Sequence, residues 1–142
     1  MQSPVREMLL PCLGMVVVTM VVWIRLYFER TGEMKARRVS PQSIATRQEA
    51  ARILLNTRAA DNFSNLFEMP VLFYVLCLAL ATSGLQSSLF VMGAWTYVIL
   101  RAIHSLIHVT YNHVIHRFAI YVISSVLLFG MWLGFGLRLV LS

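Results

Sequence analysis

The sequence predicts an all-α membrane protein, a bundle of four transmembrane helices forming one domain over residues 1–142. Three observations lead there. The chain is 58% hydrophobic and only 13% charged, about half the charge of a soluble domain. Its apolar residues fall in four runs, each close to the roughly 20 residues that a helix needs to cross a bilayer. Its basic residues gather in one connection between those runs instead of being spread along the chain. A second core of ordinary size has no room in this length. The net charge of +6 would suit a nucleic-acid partner. However, the cations cluster beside apolar spans, which is how membrane topology is written, so nucleic acid is excluded.

The first span covers residues 8–28, "MLLPCLGMVVVTMVVWIRLYF". A signal peptide would need a basic leader and a site of small residues after the apolar run. Here Arg6 is offset by Glu7, and "WIRLYFER" follows. The run is therefore read as a retained span. Residues 29–66 form a charged loop and a helical extension. "ERTGEMKARRVSPQS" carries Gly32 and Pro41 as breakers, and Ser43 is the expected cap of a helix through "IATRQEAARILLNTRAADNF". That helix is expected to run unbroken into the second span, residues 67–83, with Pro70 as a tolerated kink. The third span covers residues 85–109, after a tight turn at "TSGLQSS", and the fourth covers residues 118–141. Cys12 and Cys77 lie within apolar runs and read as packing residues.

Topology follows from the cations. Arg30, Lys35, Arg37, Arg38, Arg47, Arg52 and Arg58 lie between the first and second spans, and Arg117 lies before the fourth. The "TSGLQSS" turn carries none. The first and third connections therefore face the cytoplasm, and both termini lie on the opposite side.

Polar residues at membrane depth need a partner or a water-filled cavity. Three polar stripes stand out. Arg58, Asn62 and Asn65 fall at i, i+4 and i+7, with Asp61 and Glu68 on the same side. Arg101, His104, His108 and Tyr111 fall at i, i+3, i+7 and i+10. Arg117 and Tyr121, followed by Ser124 or Ser125, form the third stripe. Such spacings put side chains on one helix face. All three stripes lie toward the cytoplasmic ends of their helices, which predicts a polar pocket in that half of the bundle. Arginine forks pair with carboxylates or phosphates, and an acid nearby suits an ammonium. The complement is a small anionic ligand that also carries a cationic group. The bland alternative is that these residues make interhelical hydrogen bonds and snorkelling anchors.

All four histidines sit in "RAIHSLIHVTYNHVIHR". The pair His104 and His108 has a spacing that suits a metal, but no cysteine or carboxylate lies within the cluster to complete a site. Membrane di-iron chemistry would need more histidines, in separate clusters. A bis-histidine haem on His104 has no further support in the sequence. His113 and His116 belong to the interface, so no metal site is assigned.

The stripes resemble the MAPEG superfamily, membrane-associated proteins in eicosanoid and glutathione metabolism. The family carries Arg-x2-His-x3-Tyr-x8-Arg-x3-Tyr across its third and fourth helices. The same spacing here reads Arg101, His104, His108, Arg117 and Tyr121, with His108 where the pattern has Tyr. Its second helix carries Arg-Ala, then Asn, then Glu, often followed by a proline. "RAADNFSNLFEMP" supplies Arg58, Ala59 and Asn62, with Asn65 at the Glu position and Glu68 one turn further on. The resemblance runs over essentially the whole chain.

The resemblance implies a four-helix bundle assembled as a homotrimer, with glutathione as co-substrate at the subunit interfaces. Arg58, Asn62, Asn65, Glu68, Arg101, His104, His108 and Tyr121 would then bind glutathione. Arg117 would be the catalytic residue, a cation that favours the thiolate. The implied activity is a glutathione-dependent transferase or peroxidase acting on a lipophilic small molecule from the lipid bilayer. The departures at Asn65, Asp61 and His108 keep open a divergent, non-catalytic member that serves as a structural or lipid-binding subunit.

Overall fold

The structure is a computed structural model that describes residues 4–141. Among them it is all helical. The elements are α1 (Pro4–Arg37), a 3-10 turn (Pro41–Ile44), α2 (Arg47–Ile53), α3 (Arg58–Asn65), α4 (Met69–Ser83), α5 (Ser88–Val109) and α6 (Val114–Leu141). Four stretches are long and apolar enough to cross a membrane: Val5–Arg37, Arg58–Ser83, Ser88–Val109 and Val114–Leu141. The protein is a multi-pass integral membrane protein.

α1 runs past the expected span end at residue 28 and through Gly32, which was expected to break it. Local pairs one turn apart support the extension: Arg25 to Glu29 at 2.8 Å and Arg37 to Glu33 at 3.4 Å. A single exposed glycine costs a helix only about 1 kcal/mol. The helix stops at Arg38, whose φ of 54° is left-handed. There the Val39 amide reaches back to the Met34 carbonyl (2.9 Å) and the Arg38 amide to that of Lys35 (3.3 Å). This pattern of reversed bonds satisfies the last carbonyls of a helix.

The unbroken second helix is not found. It is interrupted twice, and each break has an identifiable cause. α2 is capped by Thr46, not by Ser43. The Glu49 amide donates to the Thr46 hydroxyl at 3.2 Å, and the Glu49 carboxylate accepts from the Thr46 amide at 2.9 Å. Ser43 instead lies in the 3-10 turn and donates to the Ser40 carbonyl. After Ile53 the chain is held by α1. The Glu33 carboxylate accepts from the amides of Leu55 (2.6 Å) and Asn56 (3.3 Å), while Arg37 donates to the Ile53 carbonyl. These bonds satisfy backbone groups that a continuous helix would have paired internally. The second break lies at residues 66–68, just before Pro70. Proline lacks an amide hydrogen and disfavours helical geometry in the preceding residue, so the helix restarts at Met69 with Glu68 as its N-cap.

α5 is the central element, packed against α6, α1 and α3, while α1 also packs on α3 and α4. The core uses Met8, Met15 and Val22 of α1, spaced by seven residues on one face. Phe73 of α4 stacks on Tyr97 of α5, with ring centroids 4.6 Å apart. Helices associate in lipid by close packing rather than by the hydrophobic effect, and Gly14 allows a close approach of α1 to α5. A Cβ there would lie 3.1 Å from Val98 Cγ1 and 3.2 Å from Trp95 Cζ3, whereas one at Gly32 would meet nothing within 4 Å. Gly14→Leu is therefore expected to destabilise the bundle by about 1–3 kcal/mol through overpacking. Gly32→Ala should be neutral or slightly stabilising. Thermal unfolding in detergent checks both; equal melting temperatures for the two variants would contradict this packing.

Candidate functional site

The site grows from one face of α5. Tyr97, Arg101, His104 and His108 follow one another at four, three and four residues, so they form a continuous stripe. In a helix exposed to lipid this stripe would be intolerable, and here it is turned inward. Tyr97 and Arg101 are 0% exposed, and His104 and His108 are each 2% exposed. Asn62 of α3, also fully buried, comes from the opposite side, and the Ser105 hydroxyl donates to its side-chain oxygen at 3.3 Å. From α6, the half-buried Tyr121 lies under the Arg101 guanidinium, 5.6 Å from its ring centroid. The His104 ring lies 5.9 Å from Tyr121 and 5.8 Å from His108.

The break before Pro70 has a direct consequence here. There the Asn65 carbonyl takes a long bond from the Glu68 amide at 3.4 Å and accepts from Arg101 Nη2 at 3.0 Å. The guanidinium has no carboxylate partner: the ion pairs among the described residues are Arg25–Glu29 and Arg37–Glu33. Its Nε and Nη1 are buried without a hydrogen bond. So are Asn62 Nδ2, the Tyr97 hydroxyl, His104 Nε2 and His108 Nδ1. His104 Nδ1 lies 3.1 Å from the Arg117 carbonyl, which can only accept, so Nδ1 carries the proton. An unpaired buried cation costs several kcal/mol. So many orphaned polar atoms in one cluster depart from the near-complete pairing of buried polar groups.

Of the residues proposed from the sequence, Asn62, Arg101, His104, His108 and Tyr121 thus come together. Asn65 is half-buried and joins through its backbone carbonyl. Arg117 joins through its own carbonyl, but its guanidinium turns to the turn after α5, where Nη1 donates to Asn112 Oδ1 at 2.8 Å. Arg58 and Glu68 are exposed. Arg58 donates to the Thr110 carbonyl at 2.7 Å, next to Arg25, which donates to that of Val109 at 2.8 Å. Two arginines therefore satisfy carbonyls at the α5 C-terminus, a favourable position for cations. Tyr111 does not continue the stripe, because α5 ends at Val109. It is exposed, with its hydroxyl 3.3 Å from His116 Nδ1. His113 and His116 are exposed beside the same turn.

Tyr97 and Ser105 are the members that sequence reasoning missed. Tyr97 could have been found by extending the stripe one turn back from Arg101. Ser105 is one position off the stripe and shows itself only through Asn62.

A family model described as the MAPEG family matches residues 8–137. No curated protein and no solved structure matches the chain. That match spans all four membrane helices and every residue of the buried cluster, and the chain belongs to the MAPEG family.

Proposed function

We propose that the protein is a glutathione-dependent transferase or peroxidase of the membrane. It would act on a lipophilic electrophile or peroxide as a homotrimer, with its termini on the non-cytoplasmic side. The observation that carries this reading is the buried Arg101, whose Nε and Nη1 have no hydrogen-bond partner and which forms no ion pair among the described residues. A ligand carboxylate supplies both. Asn62 Nδ2 and the free ring nitrogens of His104 and His108 offer further polar contacts on the same side. At the rim, Arg58 and Arg117 add fixed cations. Bound glutathione supplies a thiol, and a cation beside it favours the thiolate, which is the nucleophile. By the family pattern that cation is Arg117. Each pKa unit by which a cation lowers a thiol corresponds to about 1.4 kcal/mol.

A second reading, a non-catalytic subunit, rests on a specific observation. Arg101, His104 and His108 are closed off within the single chain, and Arg117 already has Asn112 as a partner. One sign expected of such a subunit is missing: Arg58, Asp61 and Glu68 form no ion pair with one another among the described residues. Titration of detergent-purified protein with glutathione separates the two readings. Saturable binding below millimolar concentration, weakened several-fold in Arg58→Ala, is expected. No heat and no stabilisation at millimolar glutathione would overturn the proposal.

A further inference from the structure

Away from the buried cluster, a groove runs between α1 on one side and α2, α3 and the start of α4 on the other. It has two compartments. The larger one, about 520 Å³, is apolar, with Val16, Met20 and Thr19 of α1 facing Leu66, Phe67 and Tyr74. The outer one, about 310 Å³, is mixed, with Arg30 of α1 facing Asn56, Thr57 and Asp61. Trp23 and Phe63 line both compartments, so the two adjoin. Each volume lies in the range of ordinary ligand sites, about 300–1,000 Å³.

The geometry points to a bilayer phospholipid with an ammonium-bearing headgroup, its chain along α1 and its phosphate and ammonium between Arg30 and Asp61. Length supports this. Val16, Met20, Trp23 and Arg30 lie on one face of α1, and the fourteen steps from Val16 to Arg30 span about 21 Å at 1.5 Å per residue. One leaflet of a bilayer, including its headgroup layer, is half of about 40–45 Å. The groove is therefore as deep as one lipid is long, apolar where the chain lies and charged where the headgroup lies.

Charge supports it as well. Arg30 is half-buried and has no hydrogen bond or ion pair among the described residues. An arginine fork binds a phosphate well. Asp61 accepts from the Thr57 hydroxyl through Oδ2 at 2.9 Å and has Oδ1 left for an ammonium. Trp23 stands at the junction of the compartments, where an amphipathic ring at the hydrocarbon–headgroup boundary is at home. An anionic lipid would meet Arg30 equally well but would be repelled by Asp61.

The test is native mass spectrometry of the full-length protein, delipidated in detergent and then exposed to an equimolar mixture of phosphatidylethanolamine and phosphatidylglycerol. The wild type is expected to retain phosphatidylethanolamine preferentially, at one per protomer. Asp61→Asn should lower its retention about tenfold and raise that of phosphatidylglycerol, while Arg30→Gln should lower both about tenfold, the loss of one charge-assisted contact. Equal retention by all three proteins overturns the proposal. So does an oligomer that retains no lipid because a second copy of the chain fills the groove. A readout independent of those variants is quenching by phosphatidylethanolamine brominated in its chain. Saturable quenching that Trp23→Phe removes supports the site, and quenching unchanged in Trp23→Phe overturns it.

Discussion

Replacing Arg101 by methionine is expected to leave the ligand-free protein as stable as the wild type, or more so, and to remove half or more of its stabilisation by glutathione. The two effects have opposite origins in the same guanidinium. In the ligand-free chain Arg101 is a fully buried cation with one hydrogen bond, to the Asn65 carbonyl, and an edge of Nε and Nη1 with nothing to bond. Exchanging an unpaired buried charge for an apolar side chain of similar volume is commonly neutral or stabilising by about 1–4 kcal/mol. Against this stands the Asn65 carbonyl, which would keep only its long 3.4 Å bond from the Glu68 amide, a loss of at most about 1–3 kcal/mol. With glutathione the balance reverses. The wild type at a hundred times the dissociation constant gains about 2.7 kcal/mol from binding. Loss of a charge-assisted contact removes about 1.5–3 kcal/mol, roughly 10- to 100-fold in affinity. Thermal unfolding in detergent, with and without glutathione, reads both effects. Arg101→Lys keeps the charge and loses the planar fork, so it should resemble the wild type without ligand and the methionine variant with it. A methionine variant that melts well below the wild type yet keeps its full response to glutathione would show that Arg101 is a structural tie to Asn65 and nothing more.

The four membrane crossings were legible in the sequence because they depend on local composition. Runs such as "MVVVTMVVW" and "LLFGMWLGFGL" need no tertiary partner to become helices in lipid. The α5 stripe was legible for a related reason: spacings of three and four residues place Arg101, His104 and His108 on one face whatever lies opposite. What escaped depends on distant residues. α2 ends where it does because Glu33, twenty-two positions before Leu55, captures the amides that would have continued the helix. Arg58 was assigned to the pocket by its phase on α3, but the exposed carbonyl of Thr110, fifty-two positions on, holds its guanidinium. Glu68 was assigned by counting turns along a continuous helix; the break before Pro70 makes it instead the exposed N-cap of α4, within electrostatic reach of Arg101. The cap at Thr46 was local and could have been read, since T-x-x-E is a capping box.

Arg117→Ala is expected to lower kcat for glutathione conjugation about 10²- to 10³-fold, the usual cost of losing one preorganised group that stabilises developing negative charge. Binding should fall much less, because Arg101, Asn62 and the histidine pair remain. The pH profile carries the diagnosis. A cation near a thiol lowers the pH at which the thiolate forms, so its removal should move the rising limb of the rate profile to higher pH. At sufficiently high pH much of the lost rate should return. Arg117→Lys, which keeps a positive charge, should restore part of the rate and most of the pH shift. The fold offers a competing explanation, because Arg117 Nη1 also donates to Asn112 Oδ1 in the turn between α5 and α6. That turn places the Arg117 carbonyl against His104. If Arg117 acts only as a brace of the turn, Asn112→Ala should reproduce the loss of rate without any shift along the pH axis. If it acts on the thiolate, Asn112→Ala should leave kcat within about threefold, since a single exchanged hydrogen bond contributes about 0.5–1.5 kcal/mol and only part of it reaches the reacting group. A rate loss in Arg117→Ala that is equal at every pH and copied by Asn112→Ala would remove Arg117 from the chemistry and leave it as the clasp of the turn.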